Sequence, residues 1–323
     1  MVQEILYSEV VCIGAGFSGL CVGAQLQTMG VENFRIYERE SSLGGTWFVN
    51  TYPGCMCDVP AVVYSFSFSP NESWSSVYCS HTEILAYMQN VSRKFDLDRR
   101  TTLRTEVVDA VWDNGKKRWR VTLCDLASGR QFQHECKLLF TGVGQFGRPR
   151  TVEDLRAKDH EKFSGTIVRS TKWDPNITLN NKKVVLIGNG CESLLLSSKM
   201  STHSDCRTAG TGNQILPAIA DEVESVVQLV RSRHWIVEDE RTGIEGAFGF
   251  FGRNMPFMAP AFRQFLVAFL ERQWLGYMTD GFSTFVRGTH ERAARAYVKK
   301  NAPPQYQELL IPGPDVPFNC KVG

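Results

Sequence analysis

Residues 9 to 38 constrain this chain more than any other stretch. Glu9 to Ile13 is a short run rich in valine and isoleucine, suited to a parallel strand buried on both faces. Gly14-Ala15-Gly16-Phe17-Ser18-Gly19 follows at once. In a G-x-G-x-x-G turn the first glycine makes the tight bend, the second lets backbone approach a pyrophosphate, and the third lets helix pack on strand. Leu20 to Met29 then reads as a helix whose N-terminal N–H groups would face phosphate, and Gly30 ends it. Phe34 to Tyr37 reads as a second strand, and it delivers Glu38. That acid lies 19 residues after Gly19 (38 − 19), the spacing at which a carboxylate accepts from adenosine ribose hydroxyls. Strand, turn, helix, strand and acid in register predict a dinucleotide-binding α/β unit.

Composition narrows the rest. With 323 residues the chain is long enough for two domains or one large one. A formal charge of +2 with no basic run argues against nucleic acid as a partner. Ten scattered cysteines include Cys55 and Cys57 as a C-x-C, and no pair of pairs has zinc spacing, so no metal is expected. There is no basic region ahead of an apolar one at the N-terminus. The most apolar late stretch, Phe262 to Trp274, is interrupted by Arg263, Glu271 and Arg272. These features predict a cytoplasmic protein with reduced thiols and no stable membrane insertion; no protein partner is implied.

A second set of motifs follows: Gly44-Gly45-Thr46-Trp47, Asn50, Tyr52-Pro53-Gly54, Cys57-Asp58, Pro60 and Tyr64. These resemble the Baeyer–Villiger monooxygenases, within the class B flavin monooxygenases, and most closely the fungal ones. The resemblance covers nearly the whole chain. It implies FAD as the first dinucleotide, with Thr46, Trp47 and Asn50 lining it, Asp58 near the reactive edge of the flavin and Tyr64 against the ring system. Gly45, Phe48, Met56, Cys57 and Val59 belong to the same implied cofactor shell. The residue chemistry agrees: paired glycines admit a flat ring, aromatics supply π-faces, and a carboxylate beside a flavin can tune a partner's charge. Taken singly, Trp47 and Tyr64 read equally well as core aromatics.

Ser80 to Lys94 has Ile84, Leu85, Tyr87, Met88 and Val91 at helical spacing, with Thr82 as the expected N-cap. Val107–Trp112, Arg118–Asp125 and Arg130–Glu135 alternate as strands separated by Asp113-Asn114-Gly115 and Ser128-Gly129, which predicts a β-meander. Leu138 to Gly142 reads as a further buried strand, and Thr141-Gly142 resembles the family segment where backbone passes close to FAD. Gly147-Arg148-Pro149 reads as the way out of a first domain.

Phe163-Ser164-Gly165-Thr166-Ile167-Val168-Arg169-Ser170-Thr171-Lys172-Trp173-Asp174-Pro175 resembles the Baeyer–Villiger fingerprint F-x-G-x-x-x-H-x-x-x-W-x-P, with Arg169 where the family has histidine. Trp173 and Pro175 favour the Baeyer–Villiger branch over amine-oxidising relatives. Arginine holds its proton near neutral pH, so a histidine role in proton handling is lost there while a positioning role survives.

Lys182 to Ile187 is the expected strand of a second nucleotide unit, followed by Gly188-Asn189-Gly190-Cys191. The third glycine fails: Ser193 stands in its place. Removing Glu192 to Gly210, 19 residues (210 − 192 + 1), joins Cys191 to Thr211 and restores G-N-G-C-T-G ahead of Gln214. The segment is read as a translated intron, since TGT-GAG-TCN contains a GTGAGT donor and GCA-GGN an AG acceptor; a genuine loop insertion is the alternative. Glu224 to Val230 is the next strand. Arg231 and Ser232 then match the family pair that binds an adenosine 2′-phosphate, and a guanidinium fork suits phosphate, which favours NADPH. Gly188, Gly190, Gly212 and Gln214 complete that implied site.

Pro260–Met278 and Phe282–Asn301 read as helices of an insert, their apolar residues Phe262, Phe265, Leu266, Phe269 and Trp274 as core. Near the end, Cys320-Lys321 resembles a pair that in relatives precedes an arginine used to stabilise the oxygenated flavin; Lys321 joins the implied cofactor contacts, and Val322 replaces the arginine. The expectation is a missing C-terminal portion.

The expected architecture is α/β: two Rossmann-like dinucleotide-binding domains, for FAD and NADP, with a β-meander and a helical insert. The expected spans are 1–147 (FAD), 148–235 (linker and NADP), 236–313 (insert) and 314–323 (return to the NADP domain). The resemblance implies an NADPH-using, FAD-dependent monooxygenase that inserts one oxygen of O₂ into a ketone to give an ester or lactone, tailoring a fungal polyketide or terpenoid. Asp58 and Arg169 are the catalytic candidates. Two alternatives stay open: sulfur or nitrogen oxidation on the same fold, and an inactive FAD-binding fragment of a misspliced gene.

Overall fold

The structure, a computed structural model, describes residues 5–71, 73–144, 164–171, 173–188, 211–229, 233, 235–236, 259–274 and 281–313. The chain forms two compact units. One holds residues 1–51 and 81–173; the other holds residues 52–80 and 174–323.

The first unit is built on a six-stranded sheet. β1 (Leu6–Ile13) lies parallel to β2 (Phe34–Tyr37), with Val10 beside Phe34 and Ile13 beside Tyr37. β2 pairs in parallel with a two-residue β3 (Thr101–Thr102) that the sequence reading does not anticipate. β4 (Thr105–Asp113) and β5 (Arg118–Asp125) form the antiparallel meander with β6 (Gln131–Thr141), giving the order β3-β2-β1-β6-β5-β4.

β6 corrects the sequence reading. Arg130–Glu135 and Leu138–Gly142 are expected as two strands; they are one, eleven residues long. The reason is that β6 is gripped on both edges. Gln131–Cys136 pair antiparallel with β5, His134–Thr141 pair parallel with β1, and the two ladders overlap at His134–Cys136. The two residues between the expected strands, Cys136 and Lys137, carry no turn chemistry, and Cys136 is fully buried.

α1 (Phe17–Thr28) packs on one face of the sheet. Gly23 lies so close to Ile36 that a Cβ there would sit 2.9 Å from its Cδ1. The helix ends as expected: Gly30, at φ +74°, follows Met29, and Val31 N–H reaches back to the Leu26 carbonyl at 2.9 Å. The opposite face carries Val11 and Tyr37, buried together with Val121, Leu123 and Cys136 of the meander. A four-residue helix α2 (Thr46–Val49) precedes α3 (His81–Lys94), which buries Ile84, Tyr87, Met88 and Val91. Thr82 lies inside the first turn of α3 and so is not its cap.

In the second unit β7 (Lys183–Ile187) and β8 (Ser225–Leu229) pair in parallel, Lys183 beside Ser225 and Ile187 beside Leu229. Helix α4 (Thr211–Ile219) comes between them in sequence, so the strand–helix–strand order expected of a second nucleotide unit is present. α5 (Ala259–Trp274), α6 (Gly281–Asn301) and α7 (Pro304–Leu310) follow. Ile236, Val298 and Leu310 form a small core. On α5 the expected core face is only partly that: Leu266 is 2% exposed, while Phe265 is 63% exposed. Among the described residues no helix is long and apolar enough to cross a membrane.

Candidate cofactor site

In the first unit the glycine turn sits at the C-terminal ends of parallel strands. Gly14, at φ +95°, donates from N to the Tyr37 carbonyl at 2.7 Å, which ties the turn to the end of β2. Gly19 opens the inner side of α1, where an added Cβ would fall 1.8 Å from the Gly14 carbonyl oxygen. Only glycine allows helix and turn to meet this closely. Gly16 differs. A Cβ there would have Gly45 Cα as its nearest neighbour, at 3.6 Å, so this glycine does not serve internal packing. Gly16 is also the N-cap of α1, and no side chain caps that helix start. Helix N–H groups without a side-chain cap, beside a glycine that internal packing does not require, are what a pyrophosphate needs.

Glu38 is held against that turn. It is 6% exposed, and its Oε2 accepts from Ala15 N–H at 2.8 Å while Oε1 accepts from Glu40 N–H at 3.0 Å. Its own backbone is pinned twice more, N–H to Thr102 O and carbonyl from Thr105 N–H, both 2.9 Å. The carboxylate is therefore fixed inside the glycine turn, at the end of β2 where the sequence spacing puts it.

The second glycine pair closes on the first. Gly44 N–H donates to Ala15 O at 3.0 Å, and a Cβ on Gly45 would meet Gly16 Cα at 3.0 Å. Thr46 is exposed, Trp47 is 7% exposed and Phe48 is half-buried. Asn50 turns its side-chain amide back onto the Thr46 carbonyl at 2.9 Å and so steadies the end of α2. Gly142 fits the same cluster: its N–H donates to Ile13 O at 2.7 Å, and its Cα side faces Gly19 N. The backbones of residues 14–19, 44–45 and 142 thus come together. Arg169 is half-buried, on the residue 164–171 segment of this unit.

The second unit carries the remaining residues. Cys57 is 1% exposed, with its N–H donating to Cys79 O at 2.9 Å, and Asp58 beside it is exposed. Met56 and Val59 are half-buried, as is Tyr64, whose N–H donates to Pro60 O at 2.9 Å. Gly188, at φ +103°, follows β7 and donates to Leu229 O at 3.0 Å. Gly212 is buried in α4. Gln214 binds protein through both ends of its amide: Oε1 accepts from Tyr52 Oη–H at 2.9 Å, and Nε2 donates to Met56 O at 3.0 Å. Gly190, Arg231, Ser232, Lys321 and the segment 192–210 lie outside the described residues, as do Gly147-Arg148-Pro149 and Phe163. No cluster of metal-ligating side chains occurs among the described residues.

Sequence reading missed a buried polar chain within the sheet that carries the glycine turn. Tyr37 Oη and His134 Nδ1 share a hydrogen bond of 2.6 Å, and His134 Nε2 and Ser8 Oγ share one of 3.0 Å. All three side chains are buried. Burial, with Arg35 nearby, pulls the His134 pKa down to about 4; burial pushes Tyr37 up to about 12. Both stay neutral at physiological pH. Little in the sequence hints at it, since Ser8 and His134 stand in strands that also carry Glu9, Gln133 and Glu135.

Comparison with known proteins agrees with this geometry. The NAD(P)-binding Rossmann-like domain family matches residues 12–79. A Baeyer-Villiger monooxygenase of Pseudomonas aeruginosa is 28% identical over 98% of this chain and 54% of its own length. The chain is homologous to the Baeyer–Villiger monooxygenases. A second relative, the FAD-binding monooxygenase BOA2 of Botryotinia fuckeliana, is 33% identical over 69% of this chain and 38% of its own length. The chain spans about half the length of the curated Baeyer–Villiger relative it matches. In fold, the cyclohexanone monooxygenase of Rhodococcus sp. Phi1, solved bound to NADP+, superposes with a TM-score of 0.69 over 98% of this chain and 61% of its own, at 20% identity. The α/β fold expected from the sequence is therefore that of the Baeyer–Villiger monooxygenases.

Proposed function

We propose that the protein to which this chain belongs is an FAD-dependent, NADPH-using monooxygenase that inserts one oxygen atom of O₂ into a ketone. The product is an ester or lactone. The observation that carries the proposal is the seat of Glu38: a buried carboxylate hydrogen-bonded into the glycine turn at Ala15, beside Gly16 and a helix start with no side-chain cap. That arrangement fits an adenosine ribose and a pyrophosphate at once. Gly45, Thr46, Trp47, Phe48 and Asn50 would continue the binding surface, and Met56, Cys57, Asp58, Val59 and Tyr64 would border the flavin. Gly188, Gly190, Gly212, Arg231, Ser232 and Lys321 would serve the nicotinamide dinucleotide. Bound FAD supplies the oxygen chemistry; the protein binds, orients and excludes water.

Asp58 is exposed in its unit and has the charge to hold a cationic partner beside the flavin. Arg169 retains a positive charge where the family has histidine, so it can position but not relay a proton. The resemblance to fungal members makes a polyketide or terpenoid ketone the proposed substrate class.

The test has two stages. The purified chain is titrated with FAD and read by visible absorption and flavin fluorescence; wild type takes up flavin, and Glu38→Ala weakens uptake by at least tenfold. A folded chain that takes up no flavin overturns the proposal. The full-length transcript product is then assayed with NADPH and ketone, thioether or amine substrates. Ester formation supports Baeyer–Villiger chemistry, and S- or N-oxide without ester assigns the chain to heteroatom oxidation.

A further inference from the structure

We propose that Gln214 is a positioning residue, not a nucleotide ligand: it fastens the loop that carries Cys57 and Asp58 onto α4. The proposal rests on the function proposed above only for its chemical purpose; the fastening itself is read from one compact unit of the fold.

Three polar contacts converge on this amide. Its Oε1 accepts from the Tyr52 hydroxyl at 2.9 Å and lies 3.4 Å from Met56 N; its Nε2 donates to Met56 O at 3.0 Å. A primary amide that meets both the N–H and the C=O of one residue imitates a neighbouring strand and fixes the backbone in position and in roll. The partners are 162 and 158 residues away in sequence, so only the fold brings them together.

A steric observation points to the same contact independently. Gly54 lies within the loop at φ +76°, and a Cβ there would meet Gln214 O at 2.3 Å and Ala218 Cβ at 3.1 Å. The loop backbone therefore lies directly on α4, and Gly54 is what permits it. The side-chain amide then reads the next stretch of the same loop. Beyond Met56 the chain is held again, where Cys57 N–H meets Cys79 O, and Asp58 follows, exposed. Asp58 thus projects from a segment anchored immediately before it on two sides. α4 is the helix that follows the second glycine turn, so loop and helix would present themselves to the cofactors as one body.

This use of Gln214 differs from a direct contact to the dinucleotide in what it predicts. Cys55 and Cys57 flank the clamped residue, and both are buried, at 6% and 1% exposure. Burial also raises the Cys55 thiol. They report loop opening without any cofactor. Cys12 and Cys136, buried in the other unit, report whether that unit also loses its fold.

The experiment is pulsed alkylation of the purified chain with N-ethylmaleimide under native conditions, read per cysteine by peptide mass spectrometry. Gln214→Ala is expected to speed labelling of Cys55 and Cys57 by about tenfold while Cys12 and Cys136 stay as in wild type. Tyr52→Phe, which removes one of the contacts, gives a smaller rise at the same two sites. Unchanged labelling at Cys55 and Cys57 overturns the proposal. If Gln214→Ala exposes all four cysteines, Gln214→Glu decides: it keeps the acceptor for Tyr52 but sets oxygen against Met56 O. Selective opening in that variant upholds the clamp, and wild-type labelling defeats it. In the full-length protein the same variants should lower kcat and leave NADPH affinity within about twofold, whereas a nucleotide ligand would show the reverse. Failure of flavin uptake would sink the proposed function and leave the cysteine readout standing.

Discussion

At the level of single residues, the glycines of the first turn do different work, and substitution separates them. Gly19→Ala would place a Cβ 1.8 Å from the Gly14 carbonyl oxygen, so α1 would have to lift off the turn. The expected cost is about 2–4 kcal/mol in urea unfolding, together with loss of flavin uptake. Gly16→Ala meets nothing closer than 3.6 Å. It should change stability by less than about 1 kcal/mol and yet weaken flavin binding, because a methyl on the second glycine of the turn keeps a pyrophosphate from close backbone approach. Equal damage to stability by both substitutions would contradict the assignment of Gly16 to the ligand. The spacing of these residues was legible in the sequence because a turn between strand and helix is local. Which glycine packs too tightly for a methyl and which has room for one was not, since Gly45 and Gly142 arrive from distant parts of the chain.

Among the elements, β6 has the most to say. It joins the meander to the parallel sheet and carries His134, which links Tyr37 on β2 and Ser8 on β1. His134 titrates near 4 in the fold and near 6.5 when unfolded. Its folded pKa is depressed, so the unfolded state binds the proton first. The stability it contributes is full above about pH 6.5 and is lost as pH falls toward 4, by up to about 3 kcal/mol. Urea unfolding across that range should show this slope, and His134→Gln, which stays neutral, should flatten it even if it lowers stability at pH 7. A slope unchanged by the substitution would mean another group is responsible. The alternation of Arg130–Glu135 and the apolar run from Leu138 were each visible in the sequence. Their fusion into one strand was not, because pairing on two edges removes the break that residue pattern alone suggests.

For the molecule as a whole, the second unit leaves an apolar surface on a two-stranded parallel sheet. Val185 and Ile187 on β7 stand beside Val227 and Leu229 on β8, and all four are more than half exposed. Parallel strands in stable domains are covered on both faces, so this face promotes self-association. Ile187→Lys with Leu229→Lys should lower light scattering and dye binding at micromolar protein with little change in melting temperature. A large drop in melting temperature would show that the pair is already packed in solution.

Local sequence by itself determined the first nucleotide unit: strand, glycine turn, helix and acid follow each other within thirty residues, and their chemistry depends on neighbours along the chain. It also determined the kinship, since the motifs around Gly45, Asp58 and Trp173 stand as written. Only the tertiary structure decided that Glu38 is buried against Ala15, that His134 joins Tyr37 and Ser8 inside the sheet, and that Gln214 grips a loop 158 residues away. Those contacts join segments with no shared periodicity, and a side-chain amide or imidazole finds its partner only after the backbone has closed around it.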